Sequence, residues 1–247
     1  MPEDKFREKS GRTLNMTISN KLDLASIDVI AFDLDGTLID TSEAMLDVYH
    51  QVFEHAIQNG DAEKQPSQEE IYASFGLVGD EAWKKVAPDM SEDQHRRYKK
   101  EHDELLDQKM QKKSFALPGV PELLRQLAEH YELATASNCG EGYLSNVLSK
   151  DDLDAQITYK LCAGSVGASR KSEVLNELKQ QAGGKGIVMV GDRKSDVDAA
   201  REAGIPVIGV KSDFAEPGEL DEADVVIDSI TDLSELLGQA EPHQKQS

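Results

Sequence analysis

Cysteine is nearly absent: two residues, Cys139 and Cys162, supply neither a disulfide framework nor a cysteine-based zinc site, and a reducing compartment fits. The six histidines show no H-x-x-x-H spacing, so they are expected to be solvated side chains rather than zinc ligands. Long apolar runs are missing too, and the first twenty residues are polar and lack an apolar h-region, so neither a signal peptide nor a membrane span is expected. The cytoplasm is the default location. Basic residues are scarce: 27 Lys and Arg against 47 Asp and Glu give a formal charge of −20, which opposes binding to nucleic acid or to an anionic membrane. Aromatics make up only 5% and apolar residues 38% of the 247 positions, yet the apolar ones gather into short runs, the mark of a globular chain.

Those runs alternate with helical patterns. Val29 to Phe32 is a near-continuous apolar segment ending in Asp33-Leu34-Asp35-Gly36-Thr37, a buried strand that delivers carboxylates to the loop beyond its end. Further strands are expected at 131–137, 157–162, 186–190, 206–210 and 225–227, with helices between them. This order predicts an α/β fold, a Rossmann-like parallel sheet covered by helices on both faces.

Thr41 or Ser42 is expected to cap the first helix, whose apolar stripe runs Ala44, Met45, Val48, Val52, Phe53 and Ile57. From Pro66 to about Ser114 the pattern is helical and highly charged with no strand, so a small all-helical insert follows the first strand. Its basic residues, Lys99 and Lys100 among them, read as ordinary solvated helix surface. The expected organisation is a flexible leader over 1–22, a core formed by 23–40 and 115–238, a helical cap over 41–114 and a loose tail over 239–247. Residues 164–169 read as a small-residue loop that sets Lys171 at the start of a helix.

In a parallel sheet the strand ends meet along one edge, where Asp33, Asp35, Ser137, Lys171, Asp192 and Asp196 would gather. Phosphoryl transfer needs a nucleophile, a divalent cation, donors to the phosphoryl oxygens and an acid for the leaving group, and this set supplies each. Carboxylate oxygens without histidine or thiol partners suit Mg2+. Ser137 precedes Asn138 at a helix start, a natural anion site. Thr37 is open to two roles, phosphate binding or helix capping. Cys139 has no histidine nearby in sequence to activate it, so its place beside Ser137 is expected to be incidental.

Phe-Asp-Leu-Asp-Gly-Thr-Leu at 32–38 together with Val-Gly-Asp-Arg-Lys-Ser-Asp-Val at 190–197 resembles the haloacid dehalogenase superfamily, in particular its phosphoglycolate phosphatase-like members. The likeness runs from Val29 to about Leu237; Ser172 follows Lys171 where the family commonly has proline. It implies catalysis through an aspartyl-phosphate with Asp33 as nucleophile and Asp35 as acid and then base. Mg2+ would be held by the Asp33 carboxylate, the Asp35 backbone carbonyl and Asp192, with Asp196 holding a water of the metal's shell or Lys171. Ser137 and the Asn138 amide would bind the phosphoryl group, and Lys171 would neutralise it. The dehalogenases lack an acid at the place of Asp35, so the resemblance favours a phosphatase of a small phosphorylated metabolite, phosphoglycolate being the commonest assignment. A β-phosphoglucomutase-like sugar phosphomutase or a nucleotidase is the alternative, and a non-catalytic scaffold is the reading from another class. Monomer and homodimer stay open.

Overall fold

The computed structural model describes residues 22–77 and 79–238. The leader (apart from Leu22) and the tail expected from the sequence lie outside them.

Six strands form one sheet, all parallel, in the order β3-β2-β1-β4-β5-β6. They are β1 (Val29–Phe32), β2 (Glu132–Ser137), β3 (Ile157–Cys162), β4 (Ile187–Gly191), β5 (Val207–Val210) and β6 (Val225–Ile227). The eleven α-helices among the described residues are α1 (Ser42–Gln58), α2 (Gln68–Tyr72), α3 (Gly79–Val86), α4 (Glu92–Met110), α5 (Val120–Leu127), α6 (Glu141–Leu148), α7 (Leu153–Gln156), α8 (Ala163–Val166), α9 (Lys171–Gln181), α10 (Lys194–Ala203) and α11 (Leu233–Gly238).

Central β1 shows why its run is apolar throughout. Successive strand residues point to opposite faces, and both faces are covered. Val29 and Ala31 pack with Val174, Leu175 and Leu178 of α9 and with Val197 and Ala200 of α10. Ile30 and Phe32 belong to the other apolar cluster, with Leu123 and Leu124 of α5 and Leu233 and Leu236 of α11. The strand positions, the parallel sheet and the two helical layers agree with the sequence reading.

Three local expectations need correction. Residues 164–169 are not simply a loop, because Ala163–Val166 make a turn of helix held by Ser165, whose hydroxyl bonds the Cys162 backbone. Ile57 lies on the exposed side of α1, 37% accessible, because the helix turns its last apolar position past the edge of its partner layer. Finally, neither Thr41 nor Ser42 caps α1 with its side chain; the Asp40 carboxylate accepts the Ser42 N–H at 2.9 Å, and the Thr41 hydroxyl is used elsewhere.

Between β1 and β2 the chain is helical, and α1 to α4 pack together beside the carboxyl ends of the strands. Capping boxes start α2 (Ser67 with Glu70) and α4 (Ser91 with Gln94), each satisfying two backbone donors that a helix start leaves free. Tyr49, Phe53, Trp83 and His102 form a ring cluster inside this layer, with Phe53 stacked on Trp83. Phe214, from the loop after β5, meets Tyr72 and Phe75 with ring centroids 5.6 and 5.9 Å apart, tying the helical layer to the sheet.

Candidate active site

Parallel strands end together, so short loops after β1, β2 and β4 bring distant residues to one place. Asp33 follows β1 directly, its N–H still on the Val190 carbonyl at 2.9 Å, as though the strand ran one residue further. Asp192 follows β4, and Asp196 stands in the first turn of α10. Carboxylate oxygens of Asp33, Asp192 and Asp196 lie within 4.8 Å of one another, all buried. Two glycines make this crowding feasible. A Cβ on Gly36, whose φ is +84°, would sit 2.2 Å from an Asp192 carboxylate oxygen, and one on Gly191 would sit 2.4 Å from the Asp196 carboxyl carbon.

Lys171, at the start of α9, explains its own unfavourable position on the helix dipole: the side chain turns inward, 3% exposed, and ends between two carboxylates. Its Nζ lies 2.8 Å from Asp33 Oδ1 and also bonds Asp196 Oδ1. Burial alone would lower the lysine's pKa, but Asp196 and Asp33 outweigh it and hold the ammonium above its ordinary value. The second oxygen of Asp196 accepts the Arg193 N–H at 3.0 Å.

Three buried carboxylates gather where one lysine pairs with Asp33 and Asp196, and the excess shows in the protonation of Asp192 and Asp196. Burial, then Asp196 and Asp33, push Asp192 up to about 7. Asp196 rises to about 6, chiefly through burial, although Lys171 pulls the other way. An all-oxygen set with surplus negative charge fits a hard divalent cation such as Mg2+, and the buried cluster of Asp33, Asp192 and Asp196 could hold it.

Asp35 is set apart from this cluster. Its Oδ1 accepts from Thr41 Oγ1 at 2.5 Å and from Tyr143 Oη at 2.6 Å, the latter from the first turns of α6. Burial raises its pKa to about 6 against the opposing effect of those two hydrogen bonds. The acid is thus poised near neutrality, as general acid–base work requires.

Ser137 ends β2 and, with Asn138, lines the same cavity, so the expected residues Asp33, Asp35, Ser137, Asn138, Lys171 and Asp192 meet there. The Asn138 side-chain amide donates to the Gly76 carbonyl at 2.8 Å, a link from the sheet to the helical layer. Asp196 sits behind, bonded to Lys171. Thr37 does not line the cavity and caps no helix; fully buried, it donates from Oγ1 to Asp192 Oδ1 at 3.2 Å. On the opposite oxygen Asp192 accepts from Ser212 at 2.6 Å. A hydrogen bond to Cys162 and burial push the Cys139 thiol well above the usual range, which disfavours the thiolate that nucleophilic attack needs.

The cavity holds about 380 Å3 and is roofed by α1 and α4. Sequence reasoning missed Thr41, Tyr143 and Ser212 as partners of the acids, and nothing in their local pattern marks them. It took Lys99 for solvated surface, and the side chain is about a third exposed in an ion pair with the half-exposed Asp103, although both also line the cavity. Lys99, His102, Asp103, Leu106 and Asp107 are spaced as one face of α4, and that face lines the cavity. A mixed-charge stripe reads like any exposed helix until the facing element is known.

A family model described as haloacid dehalogenase-like hydrolase matches residues 30–210. A phosphoglycolate phosphatase of Vibrio parahaemolyticus is 26% identical over 220 residues, covering 85% of this chain and 96% of its own. The pyrophosphatase PpaX of Listeria innocua is 25% identical over 226 residues, with the same two coverages. Among solved structures, a predicted phosphoglycolate phosphatase from Haemophilus somnus superposes with a TM-score of 0.77 at 20% identity, over 87% of this chain and 99% of that one.

Proposed function

Since the chain belongs to the haloacid dehalogenase-like hydrolase family, we propose that it is a Mg2+-dependent phosphatase of a small phosphorylated metabolite, of the phosphoglycolate phosphatase type, acting through an aspartyl-phosphate. The observation that carries this reading is the division of labour among the acids: Asp33, Asp192 and Asp196 converge around Lys171, while Asp35 is held separately by Thr41 and Tyr143. Nucleophile and acid–base group thereby keep distinct environments.

In the first step an Asp33 carboxylate oxygen bonds to phosphorus as the ester P–O bond breaks, and Asp35 gives its proton to the departing alkoxide. In the second, water attacks the same phosphorus, the acyl-phosphate bond breaks, and Asp35 takes up the water's proton. The products are the free alcohol and inorganic phosphate. Lys171 stays on Asp33 Oδ1, so the ammonium offsets charge where the phosphoryl group arrives. Ser137 and Asn138 are the donors for the phosphoryl oxygens. Mg2+, held by Asp33 and Asp192, supplies further neutralisation of the phosphoryl charge. Thr37 and Ser212 act one layer out, orienting Asp192 from its two oxygens.

The same reading takes residues 41–114 as a cap over the core, supported by the run of helices α1 to α4 between β1 and α5 and by their share of the cavity wall. A cytoplasmic setting accords with two free thiols. The test is phosphate release from a panel of monoesters in Mg2+ and in chelator. Metal-dependent release that Asp33→Asn abolishes is expected. Phosphate retained on a sugar product would identify a mutase instead, and no transfer from any ester by the folded protein would remove the catalytic reading.

A further inference from the structure

The roof of the cavity carries charge, and all of its cations are engaged. Among the described residues that line the cavity, the lysines and arginines are Lys99, Lys171 and Arg193. Lys171 is shared by Asp33 and Asp196, and Arg193 Nε lies 2.9 Å from Glu219. Lys99 comes from the helical roof, and its Nζ lies 2.8 Å from Asp103 Oδ2, the two side chains 32% and 51% exposed. The other oxygen of Asp103 faces His102 Nδ1 at 3.2 Å, so the carboxylate is held beside the lysine from both sides. Asp107, one turn further along α4, and Asp40 add two more acids to the lining.

Beside this stripe stands an apolar wall. The rings of Tyr49, Trp83 and His102 are within 4.6–5.7 Å of one another, and Leu106 continues the surface. The cavity's volume of about 380 Å3 equals roughly a dozen waters at ~30 Å3 each, more room than a phosphoryl group with two further carbons fills.

We infer that the leaving group this cavity accepts is an uncharged alcohol with an apolar or planar face, and that the Lys99–Asp103 pair selects against a carboxylated one such as that of phosphoglycolate. The inference rests on the phosphatase reading and sets phosphoglycolate itself aside as the preferred ester. A carboxylate approaching Lys99 meets Asp103 on the same ammonium, so the attraction it would gain is offset by the acid already paired there. An uncharged group does not depend on that attraction and gains contact with the ring wall. Discrimination of this kind works through what the site repels as much as through what it binds.

The experiment measures kcat/KM of the Mg2+-loaded full chain for p-nitrophenyl phosphate, phosphoglycolate, glucose 6-phosphate and nucleoside 5′-monophosphates. For the wild type, phosphoglycolate is expected at least about tenfold below the best uncharged-alcohol ester. Asp103→Asn, which is isosteric and frees Lys99, should raise the ratio of phosphoglycolate to p-nitrophenyl phosphate by about five- to tenfold, and Lys99→Met added to it should erase that gain. Circular dichroism and Tm establish that each variant is folded. Phosphoglycolate as the preferred ester of the wild type, or a ratio unmoved in folded Asp103→Asn, overturns this inference alone. No release from any ester, p-nitrophenyl phosphate included, overturns the phosphatase reading and this inference with it.

Discussion

Tyr143 Oη donates a 2.6 Å hydrogen bond to Asp35 Oδ1, across 108 positions of sequence, and the Thr41 hydroxyl donates to the same oxygen. Burial and the neighbouring carboxylate hold the tyrosine phenol well above its ordinary pKa, so it remains a donor throughout the working range. With Oδ1 doubly engaged, Oδ2 is the oxygen free to carry the proton, since it accepts no bond among the described residues. The pair thus decides which edge of the carboxyl faces the leaving group.

Tyr143→Phe is therefore expected to lower kcat/KM for alkyl phosphates by about ten- to hundredfold, the loss of one charge-assisted hydrogen bond. For p-nitrophenyl phosphate, whose leaving group departs without a proton, kcat/KM should change little. The Tyr143 bond lowers the Asp35 pKa from what burial alone would make it, so its loss raises that pKa further. The descending limb of the kcat/KM pH profile, expected near the Asp35 pKa of about 6, should then move to higher pH. Equal losses on both esters would refute the positioning role.

Asp33→Asn keeps the shape of the side chain and removes the nucleophile. Turnover is expected to fall at least about a thousandfold for every ester, because no neighbouring group substitutes for it. Mass spectrometry of acid-quenched wild type should detect one added phosphoryl group that the variant lacks.

Lys171→Met leaves Asp33 and Asp196 buried without their shared cation. Breaking a buried pair from one side costs roughly 3–5 kcal/mol, to be read from urea midpoints at pH 7. The loss should shrink at pH 5, where Asp196, with a pKa of about 6, is already protonated. A loss independent of pH would argue that the lysine's stem, and not its charge, supports the fold.

Metal-free protein should become less stable as pH rises from about 4 to about 7. Asp35, Asp192 and Asp196 all have folded pKa values above the ordinary 3.8, at about 6, 7 and 6, so the folded state binds more protons than the unfolded one across that window. Each such group stabilises fully below its unfolded pKa and loses that contribution as pH passes its folded one. Mg2+ needs Asp192 deprotonated, so its stabilisation should be larger at pH 7.5 than at pH 5. At a hundredfold excess over Kd the gain is about 2.7 kcal/mol, roughly a 5–10 °C rise in Tm for a chain of this size. A Tm that Mg2+ leaves unmoved at pH 7.5 would count against the proposed metal site.

The strands were legible because each is a short apolar run bounded by polar turns, and that periodicity is local. The acids at their ends were legible for the same reason: Asp33 and Asp192 directly follow runs that end at Phe32 and Gly191. Thr37 was placed in the right loop but not in the right role, since whether its hydroxyl faces a ligand or Asp192 depends on how the loops after β1 and β4 approach each other.

What the sequence determined by itself was therefore the alternation of strands and helices, the parallel sheet and the set of acids at one edge, all consequences of backbone geometry over a few residues. Only the tertiary structure decided that Tyr143 reaches Asp35, that Ser212 reaches Asp192 and that the partly exposed Lys99–Asp103 pair lines the cavity. Those contacts join residues from separate elements or depend on what a helix face opposes, and a side chain's partner across a cavity leaves no periodic trace in the chain that carries it.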